Sequence, residues 1–509
     1  VSTLDWFVVV LFFALMIGIG LWSKRRSSDS ADFFVGGGKV PWWLSGISHH
    51  VSGHSGVVFV AYAAIAYQLG FTMYVWWAFV IACAIVVGAK LFIPRWPRLR
   101  QKLGVQSPTE YLKVRFGVPA QLAIAICGVL MKLLDIGAKW AAIGILLHGF
   151  TGIPITLGIL ISGAVSLIYI TIGGIWADLL TDFVQFIVQF VAGVFIAVGV
   201  GVALSHQGLS YISMWGQLDA AQPGFSNPFS GEYTMLWCVL YLFVKSFEYS
   251  GGNWNLAARF IATADAREAR KAALLSAAMY LVWPLLIFAP MWAARILFPG
   301  LKDPASELYP LLTQTYLPSG LVGLVVAAMF AATMGMTVSD INTLAAVTQR
   351  DIGPSVSRRF RALIGDGRRS LTIARIITAT FTALTVVVGL NANSFGGVLD
   401  LVVAWFGSMV GITGVPLLLG LFKPLRDANG TVALTSVILG FAAFAVTKLV
   451  PSFPSDFSVA TPMIVSTLAF LVGALACRRG SSEVSAEVDD LLDAVQGTAG
   501  SVEPHGTSD

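Results

Sequence analysis

The chain has 509 residues, of which 56% are hydrophobic and 12% charged, with a formal net charge of +5. An ordinary soluble domain carries about 25% charged residues, so composition alone excludes that class. The positive balance does not indicate a nucleic-acid partner, because the basic residues sit in short loops between apolar stretches, the pattern of membrane topology. Cys83, Cys127, Cys238 and Cys477 are scattered through apolar segments without ligand spacing, so neither a disulfide framework nor a metal site follows from them.

In chain order, a first span over 4–23 is followed at once by Lys24, Arg25 and Arg26. A signal peptide carries its charge before the apolar core, so this reads as a retained helix with its N-terminus outside. Spans are predicted over 41–70, 71–94, 119–148, 154–173 and 176–204, with a basic loop after residue 94 in which SPTEYLKVRFG reads as a short amphipathic helix. The loop 205–234 holds no Lys or Arg and is placed outside. Spans at 235–258, 273–297 and 319–349 follow, then a cytoplasmic loop with seven arginines from Arg350 to Arg375. The last four spans, 376–390, 397–422, 431–450 and 459–477, bring the total to about thirteen and leave the C-terminus inside.

Two of these spans are interrupted. Residues 41–70 carry SHHVSGHSG at mid-span, and residues 235–258 carry Ser250, Gly251, Gly252 and Asn253. Unpaired backbone groups are too costly in lipid, so a broken helix survives only inside protein or beside a water-filled cavity. One Gly-interrupted span in each half of the chain points to an inverted-repeat transporter with its site at the breaks. The predicted architecture is an all-α polytopic membrane protein with a five-plus-five inverted repeat. An accessory helix and loop (1–40) precede a first repeat (41–204). An external loop (205–234), a second repeat (235–424), two accessory helices (425–479) and an acidic cytoplasmic tail (480–509) follow. The tail has seven acidic residues and no Lys or Arg, a composition that predicts disorder.

Four ordered segments carry a resemblance: PWW at 41–43, GGIWADLLTDFVQ at 173–185, NWNLAARFIATADAREARKA from Asn253, and AAMFAATMGMTVSDINTLAAVTQRDI at 327–352. Together they resemble the sodium:solute symporter family. The resemblance implies ion-driven uptake of a small solute through an amino-acid-transporter-like bundle, with no enzyme activity and no cofactor beyond sodium as coupling ion. It also implies a sodium site formed by carbonyls at Val51, His54 and Ala332 and by two serine hydroxyls. Gly335 and Met336 stand where those serines are expected. Sodium favours oxygen ligands, by the rule that governs other hard cations, so neither residue replaces a hydroxyl. Thr333 and Thr337 share a helix face one turn away.

Ionisable groups inside a membrane are functional candidates by default. Asp182 matches the acid of the family's Thr-Asp pair, Asp340 lies three residues beyond Thr337, and His54 sits in the first break. These three form a titratable set that makes the proton the alternative coupling ion. Lys132, Asp135 and Lys139 have the spacing of a helix-borne ion-pair set, as do Lys245 and Glu248. For the solute, the expected contacts are Gly53, Trp77, Gly252, Asn253 and Trp254, with Asn253 matching a family substrate position. Trp77 and Tyr280 stand where sugar-transporting members place a glutamate and a lysine, which disfavours a typical sugar site. The competing reading is a non-transporting sensor or uncoupled facilitator with the same fold. The expected partners are a small solute, Na+ or H+, and the lipid bilayer.

Overall fold

The computed structural model describes residues 1–23, 29–365, 367–392, 408–450, 452–479 and 485–497. Among these the secondary structure is helical, apart from isolated bridges at Val40–Thr263 and Ser230–Tyr233. Eight helices are long and apolar enough to cross a membrane, and four shorter apolar helices accompany them. The chain is therefore an integral membrane protein of polytopic helical architecture.

The first helix, α1 (Thr3–Ser23), leaves Phe7, Val10 and Leu11 exposed, the face that lipid covers. The first predicted break is present. α2 (Trp42–Val51) stops at Ser52, and helix resumes only as a π turn at Val58–Tyr62 leading into α3 (Ala63–Leu69). A second π turn, Tyr74–Phe79, opens α4 (Val80–Leu91). The basic residues that follow lie on α5 (Arg95–Leu103), and SPTEYLKVRFG contributes only a five-residue helix, Leu112–Phe116.

α6 (Val118–Thr151) and α7 (Ile155–His206) complete the first half. The two spans predicted over 154–204 run as one helix interrupted at Gly174, whose φ of 58° and ψ of −150° make the kink. The second break follows α8 (Met235–Phe247): a π turn at Glu248–Gly252 contains Gly251 at φ 120°, a conformation open mainly to glycine. The chain leaves it through Asn253 into α9 (Trp254–Ile261), and Asp265 caps α10 (Ala266–Leu297) by accepting from the N–H groups of Arg267 and Glu268.

α11 (Leu321–Val347) is the axis of the molecule. Nearly nine-tenths of its span is buried, and it packs on α1, α6 and α7. α12 (Gly367–Leu390), α13 (Ser408–Leu419), α14 (Gly430–Leu449) and α15 (Thr461–Arg479) follow. Residues 393–407, which include Asp400 and the first part of the span predicted over 397–422, lie outside the described residues.

The expectation of a disordered tail is corrected over part of its length. Ser485 caps a helix, α16 (Ala486–Gln496), whose Val488, Leu491, Leu492 and Val495 are buried. Its acidic face meets Lys102 on α5 and Lys423 and Arg426 after α13, with ion pairs from Asp490 at 2.6 Å, Asp493 at 2.5 Å and Asp489 at 3.4 Å. Average composition hid an apolar stripe at helical spacing, which is what docks the segment.

Candidate solute and ion site

The breaks are built around groups too close for side chains. A Cβ on Gly53 would lie 2.3 Å from the Tyr280 hydroxyl, and one on Gly252 would lie 2.8 Å from the Phe247 carbonyl. Tyr249, from the second break, donates its hydroxyl to the Gly53 carbonyl at 2.7 Å, and Asn255 donates to the Ser52 carbonyl at 3.0 Å. The two interruptions, nearly two hundred residues apart, are thus tied to each other directly. The carbonyls of Val51 and His54 accept from no backbone or side-chain donor among the described residues.

A buried polar network links the first break to α7, α9 and α11. Asp182 accepts from Ser48 at 2.5 Å and from Ser52 at 3.2 Å, all through Oδ2. Arg259 places Nη2 2.5 Å from Asp178 and 3.4 Å from Asp182, and the same nitrogen donates to Ser339. Ser339 in turn donates to Asp178 at 3.0 Å. All these groups are at most 1% exposed, so the charges stand only because each has a partner. Three atoms are exceptions: Arg259 Nε, Asp182 Oδ1 and Gln185 Oε1 are buried without a partner, and the two oxygens are informative. The two oxygens point at Gly335, where a Cβ would lie 2.7 Å from Asp182 Oδ1 and 2.6 Å from Gln185 Oε1.

The other sequence-predicted ion residues are dispersed. Met336 lines a cavity, while Gly335 faces α7. Thr333 accepts the Gly56 N–H at 3.1 Å, and Thr337 donates to the Thr333 carbonyl, so neither hydroxyl is idle. His54 is held by the His50 carbonyl at 2.9 Å and by the Gln189 amide at 3.1 Å, away from Asp182's network. Asp340 belongs elsewhere again. It accepts from Lys132 at 2.7 Å and Lys139 at 2.6 Å, and both lysines also donate to Asp135, at 3.0 and 2.7 Å. The predicted lysine–aspartate set on α6 therefore joins Asp340 of α11 in a quartet. His54, Asp182 and Asp340 sit in three separate networks.

Beside the first break is a small cavity, about 50 Å³ as space for water-sized spheres, lined by Gly53, His54, Trp77, Met336 and residues of α6 and α8. Of the expected solute contacts, Gly53 and Trp77 are on its wall. Gly252 and Trp254 instead line a smaller pocket with Lys132 and Thr413, and the side chain of Asn253 is buried without a partner. Trp76 stacks on Tyr233 and Tyr74 bonds the Leu281 carbonyl, so those aromatics serve packing. The wall also holds Asp135, Lys139, Tyr62, Tyr241, Tyr249 and the pair Lys245–Glu248, joined at 2.5 Å. From sequence spacing alone both sets read as helix-borne ion pairs. For Lys245 and Glu248 the signal is two charges placed immediately before a glycine break in an apolar span.

The family model for the sodium:solute symporter family matches residues 33–440. The sodium/sialic acid symporter NanT of Aliivibrio fischeri is 25% identical over 508 residues, covering 96% of each chain. The sodium/glucose cotransporter of Vibrio parahaemolyticus is 25% identical, covering 93% of this chain and 96% of its own. The structure of a substrate-bound, outward-open Na+-coupled sialic acid symporter superposes with a TM-score of 0.81 at 20% identity, over 94% of this chain and 98% of that one. The chain belongs to the sodium:solute symporter family and is a secondary transporter that couples ion movement to uptake of a small solute.

Proposed function

We propose that the chain carries its solute together with sodium, by alternating access around the cavity between the two breaks. The observation that carries this reading is the set of unpartnered oxygens at the first break. The Val51 and His54 carbonyls lack donors, and Asp182 Oδ1 and Gln185 Oε1 converge on Gly335. Sodium is satisfied by oxygen ligands, and buried oxygens without donors are costly unless a cation or water meets them. A carboxylate and an amide oxygen thus take the place of the serine hydroxyls that Gly335 and Met336 cannot supply. The relatives' names as sodium symporters support the same ion. Their sugar-type solutes are not carried over, because Trp77 and Tyr280 replace the glutamate and lysine of sugar sites.

Proton coupling through His54, Asp182 and Asp340 has less support, since their side chains do not meet. The proposed frame is thirteen spans in a five-plus-five inverted repeat with two accessory helices at the C-terminal end. The N-terminus and loop 205–234 are external, and loop 350–375 and α16 are cytoplasmic. Reconstituted protein should accumulate solute under an inward sodium gradient at fixed membrane potential and equal pH. Accumulation that follows a pH gradient and ignores sodium would overturn the reading.

A further inference from the structure

The cavity wall carries charge of both signs in a pattern that a solute must match. Asp135 uses Oδ2 for both lysine bonds, while its Oδ1 is buried with no partner. A carboxylate oxygen left without a donor at 1% exposure calls for a hydrogen-bond donor, best a cationic one. Lys245 also lines the cavity. Its ammonium has three N–H donors, one of which goes to Glu248 at 2.5 Å, and it stands 4.8 Å from the centre of the Tyr241 ring. Those remaining donors favour an anion.

The groups balance. Asp135, Asp340 and Glu248 face Lys132, Lys139 and Lys245, so the buried site has equal numbers of each sign. A solute with one net charge would leave that charge uncompensated after desolvation, whereas a solute carrying both signs preserves the balance. The rest of the wall sets Val57, Val58, Met336 and Trp77, which pair with apolar surface, beside the hydroxyls of Ser55, Tyr62, Tyr241 and Tyr249.

We infer that the solute is a small zwitterion with an apolar side chain, an aliphatic α-amino acid in chemistry, whose ammonium meets Asp135 Oδ1 and whose carboxylate meets Lys245. This rests on the placement of the solute in the cavity between the breaks and adds its chemical class.

The test is equilibrium binding to the purified full chain in detergent at saturating sodium chloride. The probes are L-alanine, L-valine, L-leucine, L-isoleucine and L-proline, beside 3-methylbutanoate, isobutylamine and glucose. At least one amino acid should bind saturably. For valine, the analogues lacking the ammonium or the carboxylate should bind roughly ten-fold to a hundred-fold more weakly, the worth of a charge-assisted hydrogen bond. Lys245→Met should narrow the gap between valine and isobutylamine, and Lys245→Arg should restore it. Binding of none of the five amino acids overturns the inference, as does equal or tighter binding of glucose or 3-methylbutanoate. Sodium-driven uptake of an uncharged solute would overturn it while leaving the proposed coupling intact. Amino-acid binding without sodium-driven uptake would do the reverse.

Discussion

Asp182 and Gly335 face each other across α7 and α11, with the carboxylate Oδ1 only 2.7 Å from where a Cβ at 335 would lie. The acid fills the space that a side chain on α11 would otherwise use. Glycine is therefore required at 335 for the carboxylate to stand where it does. Gly335→Ala should displace Asp182 and Gln185 at an overpacking cost of about 1–3 kcal/mol. Since about 1 kcal/mol is a factor of five, the sodium concentration for half-maximal uptake should rise about five-fold or more. An unchanged sodium dependence would place the ion elsewhere.

Arg259 is 1% exposed and reaches Asp178, Asp182, Ser52 and Ser339 through one nitrogen. Removing the cation leaves two buried carboxylates facing each other, which for a buried pair costs about 3–5 kcal/mol. Arg259→Met should lower the thermal unfolding midpoint in detergent well below that of the parent. Adding Asp178→Asn should recover part of the loss, and a double-mutant cycle with additive effects would contradict the coupling.

Part of this arrangement is legible in the sequence. Gly53 and the Gly251–Gly252 pair announce the breaks, because glycine and serine at mid-span conflict with a dry continuous helix. The spacing of Lys132, Asp135 and Lys139 announces ion pairing within one helix. Asp340 is another matter: it joins those residues from more than two hundred positions away, and no local pattern encodes that contact. The convergence of Asp182, Gln185 and Gly335 is hidden for the same reason. α16 was legible and missed, since Val488, Leu491, Leu492 and Val495 have helical spacing that average polarity conceals.

The docking of α16 should depend more on that stripe than on charge. Exposed ion pairs are worth about 0–1 kcal/mol each and weaken with salt. Leu492, fully buried, should therefore matter more than any of its acidic neighbours. Leu492→Asp is expected to abolish amide-exchange protection across Ala486–Gln496, while Asp490→Asn should change it little. The opposite ranking would make the contact electrostatic.

Topology has its own check. Glu232 lies exposed in the loop placed outside, and Val356, 72% exposed, lies in the arginine-rich loop placed inside. In a background with the four native cysteines replaced, cysteines at these two positions should react with an impermeant thiol reagent from opposite sides. Reaction from the same side would contradict the proposed orientation.

The proposed sodium and solute sites lie on neighbouring parts of one broken helix, so each ligand should tighten the other's binding. The most direct measurement is solute affinity as a function of sodium concentration, in the parent protein and in Asp182→Asn, with choline replacing sodium. The parent should bind solute about ten-fold or more tightly at saturating sodium than in choline, a coupling within the usual 1–3 kcal/mol range. Asp182→Asn should bind solute weakly and equally in both salts. Identical affinity in sodium and choline for the parent protein would contradict coupling at this site.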